Sequence, residues 1–190
     1  ARSAALASIE IVRTPSSRRT LKNLPRDVKI TADRRLHKKI CGLLRKNSLF
    51  PILSEEDPNT RMAIDRKSPY QWIVDPLDGS LNFSREIPFC CISIALWKND
   101  NPVLGIVFDF LRNEFFSGIV GRGARLGKKP IRWRRRSRKD SVLCTGFPTA
   151  SDFSDAALLP FLKQIQGYKK VRLLGSAALS LAYVASGRAD

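Results

Sequence analysis

Between Ala32 and Lys46 the apolar side chains fall at Leu36, Ile40, Leu43 and Leu44, with basic residues on the other side; this spacing predicts a helix. Further on the period changes. Trp72-Ile73-Val74 is a short β-favouring run ahead of Pro76, so a strand is expected to end near Asp75. Phe89 to Trp97, Val103 to Phe110 and Glu114 to Val120 are β-rich. Lys98-Asn99-Asp100-Asn101-Pro102 is a turn signal between the first two, and the three runs predict an antiparallel meander. Past a basic stretch come a strand over 141–146, a helix over 155–166, a strand over 170–174 and an apolar helix over 176–185. The order predicts an α+β half over 1–138 and the opening of an α/β half over 139–190. Ala1 to Leu6 reads as the middle of a helix, and no internal repeat occurs.

Composition bounds this picture. The 190 residues are 43% hydrophobic, enough for a buried core in one domain or two small lobes. No apolar run has the length of a membrane span, and the first residues lack a signal-peptide core. Cys41, Cys90, Cys91 and Cys144 show no metal-ligand spacing; they are expected to be reduced core residues of a cytoplasmic protein. Charge changes the picture more. The net +17 concentrates in residues 1–50 and in 122–139, which holds Arg134-Arg135-Arg136 and no acid. Such a field attracts polyanions and steers phosphate esters. A solvated basic face is the ordinary explanation, with nucleic acid as the alternative partner. Only Trp133 is interleaved with the cluster, so it offers no stacking platform for single strands.

The candidate chemistry lies in Asp75-Pro76-Leu77-Asp78-Gly79-Ser80-Leu81-Asn82-Phe83. Two carboxylates stand where an apolar strand breaks, and Gly79 to Asn82 can open a helix whose free N–H groups favour an anion. Carboxylates repel an anion unless cations intervene; Mg²⁺, a hard cation held by carboxylates and phosphate oxygens, suits both. Upstream, Pro51-Ile52-Leu53-Ser54-Glu55-Glu56-Asp57-Pro58 repeats the order of apolar run, acids and proline. If the two strand ends are neighbours, Glu55, Asp75 and Asp78 converge as a two-metal centre requires. Acids at strand ends are otherwise turn or cap formers, and Asp33 ahead of Arg34 and Arg35 has the same simple use. The glycines of Arg122-Gly123-Ala124-Arg125-Leu126-Gly127 lack the Lys-Ser/Thr ending of a phosphate loop, and a hairpin turn is expected there.

Asp75-Pro-Leu-Asp78-Gly79-Ser80 with Asn82-Phe83 resembles the signature of the inositol monophosphatase family of Mg²⁺-dependent sugar phosphatases. Asp27-Val-Lys-Ile-Thr31-Ala32-Asp33, Ser54-Glu55-Glu56, and Arg172-Leu-Leu-Gly175-Ser176-Ala177-Ala178 running to Gly187-Arg188-Ala189-Asp190 agree with it in order. The resemblance covers roughly residues 20 to 190. It implies a layered αβαβα fold, a homodimer, a small phosphate ester as substrate and two or three Mg²⁺ ions in the complete protein. It implies Glu55, Asp75 and the Leu77 carbonyl as ligands of a first metal, and Asp75 and Asp78 as ligands of a second. Asp33, Ser80 and Glu55 would activate the attacking water, and Gly79 and Ser80 would offer N–H groups to phosphate. Asp78, Gly175, Ser176 and Ala177 would border the sugar. Lys22 stands where a family lysine approaches the metal loop. Ser80 replaces the more usual threonine and keeps the hydroxyl; no histidine accompanies it in the motif, so it is expected to bond to the water-activating set and not to be a nucleophile.

Family members continue into a Trp-Asp segment whose aspartate completes the second metal site, and no Trp-Asp pair occurs here. The chain is therefore expected to be a fragment that binds the first metal better than the second and turns over little or no substrate. Inositol monophosphate is the expected substrate of the parent, because Asn82-Phe83 leans toward the inositol and sugar phosphatases. Fructose-1,6-bisphosphate, histidinol phosphate and 3′-nucleotides stay open as substrates, as does a non-enzymatic polyanion-binding role on this scaffold.

Overall fold

The computed structural model describes residues 1–24, 27–57, 68–148 and 150–190. Two short helices, α1 (Arg2–Leu6) and α2 (Ile9–Arg13), precede an antiparallel pair, β1 (Thr20–Leu24) and β2 (Asp27–Ile30). Helix α3 (Thr31–Asn47) follows directly. Its apolar spacing buries Leu36, Ile40 and Leu44 on one side, Asp33 stands in its first turn, and Arg45 and Lys46 in its last complement the helix dipole.

A seven-stranded sheet forms the centre: β3 (Ile52–Ser54), β4 (Tyr70–Asp78), β5 (Cys91–Lys98), β6 (Asn101–Asp109), β7 (Glu114–Ile119), β8 (Gly123–Leu126) and β9 (Lys129–Pro130), in that order. Strands β4 to β9 are the antiparallel meander, and β3 joins β4 in parallel. Helix α4 (Ser80–Ser84) interrupts the chain between β4 and β5. The segment 122–127 expected as a turn is instead strand β8 between two turns, because Gly121, Gly123 and Gly127 take positive φ at its ends and leave Ala124 to Leu126 free to pair with β7. Beyond it, β10 (Val142–Thr145) and β11 (Lys170–Leu173) pair in parallel, with α5 (Asp155–Ile165) between them in the chain and α6 (Ala177–Ala185) after them.

Both sheet faces carry apolar clusters. One joins α1, α2 and α3 to Val74, Ile94, Phe108 and Phe115; the other sets Leu179 and Ala182 of α6 against Phe89, Cys91 and Phe116. The result is a helix–sheet–helix layering. The turn from β6 to β7 is locked by fully buried Asp109, which accepts N–H bonds from Leu111 and Arg112 and the Arg112 guanidinium at 2.8 Å. Cys41, Cys90 and Cys91 are buried free thiols and Cys144 is a half-buried one. Among the described residues no helix is long and apolar enough to cross a membrane.

Phe108 is fully buried at mid-sheet, 5.6 Å from the Phe115 ring. Phe108→Ala is expected to cost about 3–5 kcal/mol in urea unfolding; a loss below about 1 kcal/mol would show that this face does not carry the core.

Candidate metal and phosphate site

The site is assembled where three chain segments end side by side. Parallel pairing sets Ser54 opposite Val74, and the Glu55 N–H donates to the Val74 carbonyl at 3.2 Å, so Glu55 leaves β3 beside Asp75. Strand β4 does not stop at Asp75, as Pro76 led one to expect. It runs on to Asp78 through a bulge, since Asp75 faces Ser93 but Asp78 faces Cys91. In a regular strand residues three apart point to opposite faces; the bulge lifts that constraint and accepts a proline because it needs no ladder N–H there.

Asp75 records the outcome electrostatically. Burial, then the charges of Glu55 and Asp78, push its carboxyl from the usual 3.8 up to about 8, while an N–H bond from Leu77 at 3.1 Å opposes the shift. Asp33 adds to the same negative field. Its own carboxyl is 2% exposed and is pushed up to about 6, mainly by burial. One Asp33 oxygen accepts the Ile30 N–H at 2.7 Å, which is the simple helix-start use, and the other lies 2.7 Å from the Ser80 hydroxyl. That hydroxyl is also 2.9 Å from the Leu77 carbonyl. Having one proton, it donates to one of the two at a time.

Gly79 enters α4 at φ +90°, where a Cβ would meet the Phe89 carbonyl at 3.0 Å and the Cys90 Cβ at 3.1 Å. A side chain would be strained there twice over. Asp78 accepts the Ser176 hydroxyl at 2.6 Å and the N–H groups of Ala178 at 2.6 Å and Ala177 at 3.2 Å. The carboxylate thus sits on the positive end of α6, joining residues about a hundred positions apart. Ser176 also caps α6, accepting the Leu179 N–H at 3.4 Å. Gly175, at φ +74°, packs against the Asn82 amide.

Several partners in this arrangement escape sequence reasoning. Lys29 forms an ion pair with Glu56 and lies 3.9 Å from Glu55, whereas Lys22 is exposed on β1 opposite Lys29. His37 Nδ1 is 2.8 Å from the buried Ser54 hydroxyl, tying α3 to the residue before Glu55. The Asn82 amide donates to the carbonyls of Phe89 and Leu174, both at 2.7 Å. Asn82, Lys29, Ser54 and Glu56 lie in the matched segments, but their partners lie too far along the chain for spacing to reveal.

These donors suit a hard divalent cation: they are all oxygens, and the like charges of Glu55 and Asp78 that push the Asp75 carboxyl up are what a dication would offset. Among the described residues no three His, Cys, Asp or Glu side chains already stand in metal-binding geometry, so the carboxylates share a field and not yet a coordination sphere.

The chain is similar to known proteins in sequence and in fold. The chain is 36% identical over 168 residues to the Nus factor SuhB of Pasteurella multocida, covering 83% of this chain and 59% of that protein. It is 39% identical over 128 residues to a fructose-1,6-bisphosphatase of Pyrococcus furiosus, covering 67% of this chain and 46% of that one. The chain thus spans about half the length of such curated relatives. The crystal structure of the extragenic suppressor protein suhB of Bartonella henselae superposes with a TM-score of 0.87 at 32% identity, covering 100% of this chain and 74% of that one. With residues 2–190 matching its description throughout, the chain belongs to the inositol monophosphatase family.

Proposed function

We propose that the protein carrying this chain hydrolyses small phosphate monoesters with Mg²⁺, inositol or sugar phosphates being the favoured class. The observation that supports this reading is the pairing of β3 with β4, which brings the exposed Glu55 beside Asp75, whose carboxyl feels the charges of both Glu55 and Asp78. Glu55, Asp75 and the Leu77 carbonyl would hold a first ion, and Asp75 and Asp78 are this chain's donors to a second. When bound, Mg²⁺ would neutralise phosphate oxygens and make water a better nucleophile at neutral pH.

The chain's own groups do the rest. Ser80, 2.7 Å from Asp33, orients the attacking water, and the Asp33 carboxylate takes up its proton. Backbone N–H groups of Gly79 and Ser80, at the start of α4, receive the phosphate oxygens. Asp78, with Ser176 and Ala177 bonded to it, would border the sugar.

Thermal unfolding of the 190-residue chain with and without Mg²⁺ is expected to show stabilisation, about 2.7 kcal/mol at a hundredfold excess over Kd. In the whole protein, release of inorganic phosphate from inositol 1-phosphate, fructose 1,6-bisphosphate and a 3′-nucleotide should require Mg²⁺ and favour the first two. Equal hydrolysis in EDTA would overturn the reading.

A further inference from the structure

We propose that the basic residues of 122–139, joined by Lys169, Lys170 and Arg172, form a docking surface for the phosphate backbone of a nucleic acid, bound without base recognition. The inference does not rest on the phosphatase reading. Ten Lys and Arg residues and no acid occupy these 18 positions, and all ten are exposed. Among the described residues only Arg136 of the ten is ion-paired, to Asp190 at 3.0 Å. Elsewhere some basic groups are answered by acids: Arg188 by Glu114, Arg112 by Asp109, Arg18 by Glu86. The strip therefore presents uncompensated charge.

The tertiary structure extends it. The Arg138 guanidinium lies over the Tyr168 ring at 5.1 Å, and the Lys169 N–H donates to the Ser141 carbonyl at 3.0 Å. Lys169 thus lies at the end of the strip, and the β10–β11 register carries Lys170 and Arg172 onward from it, opposite Val142 and Cys144. Residues 131–137 have no regular structure and run from the sheet edge at β9 toward this pair. Such a segment of seven residues reaches at most about 25 Å, and duplex nucleic acid carries about one charge per 1.7 Å of axis. Several phosphates fit along it.

The surface is separate from the Asp78 site. Arg136 bonds the Gly187 carbonyl at 3.1 Å, just past the C-terminal end of α6, whereas Asp78 holds the N-terminal end. Nine helical residues put about 13 Å between those ends. A lipid surface fits less well, because the strip is not an amphipathic helix and Trp133 is its one strongly exposed large apolar side chain between 131 and 139. With no further aromatic there, contact must run through the backbone phosphates and not through stacked bases.

The test is fluorescence anisotropy of labelled RNA and DNA duplexes of about 20 base pairs titrated with the chain between about 50 and 200 mM salt. Comparable affinity for RNA and DNA is expected, with a log–log salt slope of about −4 or steeper. The triple Arg132→Glu, Arg134→Glu, Arg135→Glu should weaken binding about tenfold or more and flatten the slope by about 2.7, which is three contacts at 0.9 each. The milder Gln triple, kept in case the first misfolds, should flatten it similarly. Lys38→Glu, Lys39→Glu, Lys46→Glu makes the same charge change on α3 and should weaken binding less than about threefold. Mg²⁺-dependent thermal stabilisation should be unchanged in every variant. Equal losses from both Glu triples would show that net charge alone governs binding, and would overturn the proposal. So would salt-insensitive binding, a preference above about tenfold for RNA or DNA, or tighter strip-dependent binding to phosphatidylserine vesicles than to either duplex.

Discussion

Asp75→Asn is expected to make the metal-free chain more stable while removing its response to Mg²⁺. Asp75 is held in a negative field that raises its carboxyl to about 8, against 3.8 for an ordinary aspartate. A group whose pKa is higher folded than unfolded stabilises the fold when protonated, and that stability drains away as pH rises from about 4 through about 8. At pH 7 the wild-type chain thus folds against the cost of a proton taken up or a charge buried. Asparagine keeps the shape and removes the acid, so metal-free stability should rise by about 2–4 kcal/mol. Asp33, raised to about 6, works in the same direction and leaves a smaller slope in the variant below that pH.

The same substitution removes the carboxylate shared by both proposed ions. The Mg²⁺-induced shift in unfolding midpoint should vanish, and hydrolysis by the whole protein should fall by at least about a thousandfold. Urea melts of wild type and variant from pH 4 to 8, each with Mg²⁺ and with EDTA, measure both effects. A variant less stable than wild type in EDTA at pH 7 would show that Asp75 is stabilised by partners and is not strained by its neighbours.

Asn82→Ala should have the largest effect on the relation between the two ends of the chain. The amide is 9% exposed and donates 2.7 Å bonds to the Phe89 and Leu174 carbonyls, one at the entry to β5 and the other just after β11. Removing it leaves two carbonyls without their donor and opens a cavity beside Gly175, at a cost of about 2–4 kcal/mol. Because Leu174 precedes the residues that bond Asp78, the loss should also loosen Gly175 to Ala178. Hydrogen exchange is the discriminating measurement. Faster exchange at the Ala177 and Ala178 amides with β5 and β6 unaffected is expected; uniform loss of protection would indicate only a weaker core.

The helix over Thr31–Asn47 and the meander were legible because each is set by neighbours a few residues away: a 3.6-residue apolar period in one, alternation and turn residues in the other. The limits of that legibility show at Pro76. Locally it signals a strand end, yet the ladder to β5 continues past it, because a bulge tolerates a missing N–H and only the partner strand reveals a bulge. Strand β8 escaped notice for a similar reason, since its glycines mark the turns at its ends and its pairing belongs to β7.

Within the site the division is the same. Asp75, Asp78, Gly79, Ser80 and Glu55 could be picked out from their own local patterns, and the role of Asp33 through the resemblance. Their nearness could not, because it depends on β3 choosing β4 as a parallel neighbour and on α3 starting beside Ser80. Lys29 beside Glu56, His37 beside Ser54 and Asn82 beneath Leu174 likewise join residues with no local relation. By itself, then, the sequence determined the long first-half helix, the core of the meander, the family and the chemical character of the acids, all of which follow from residue type, short motifs and short-range period. Tertiary structure alone decided which carboxylates share a field, which of them the start of α6 holds, and which basic residues continue the strip. Those depend on long-range pairing, where side chains far apart in the chain meet in a low-dielectric interior and their interactions grow strong.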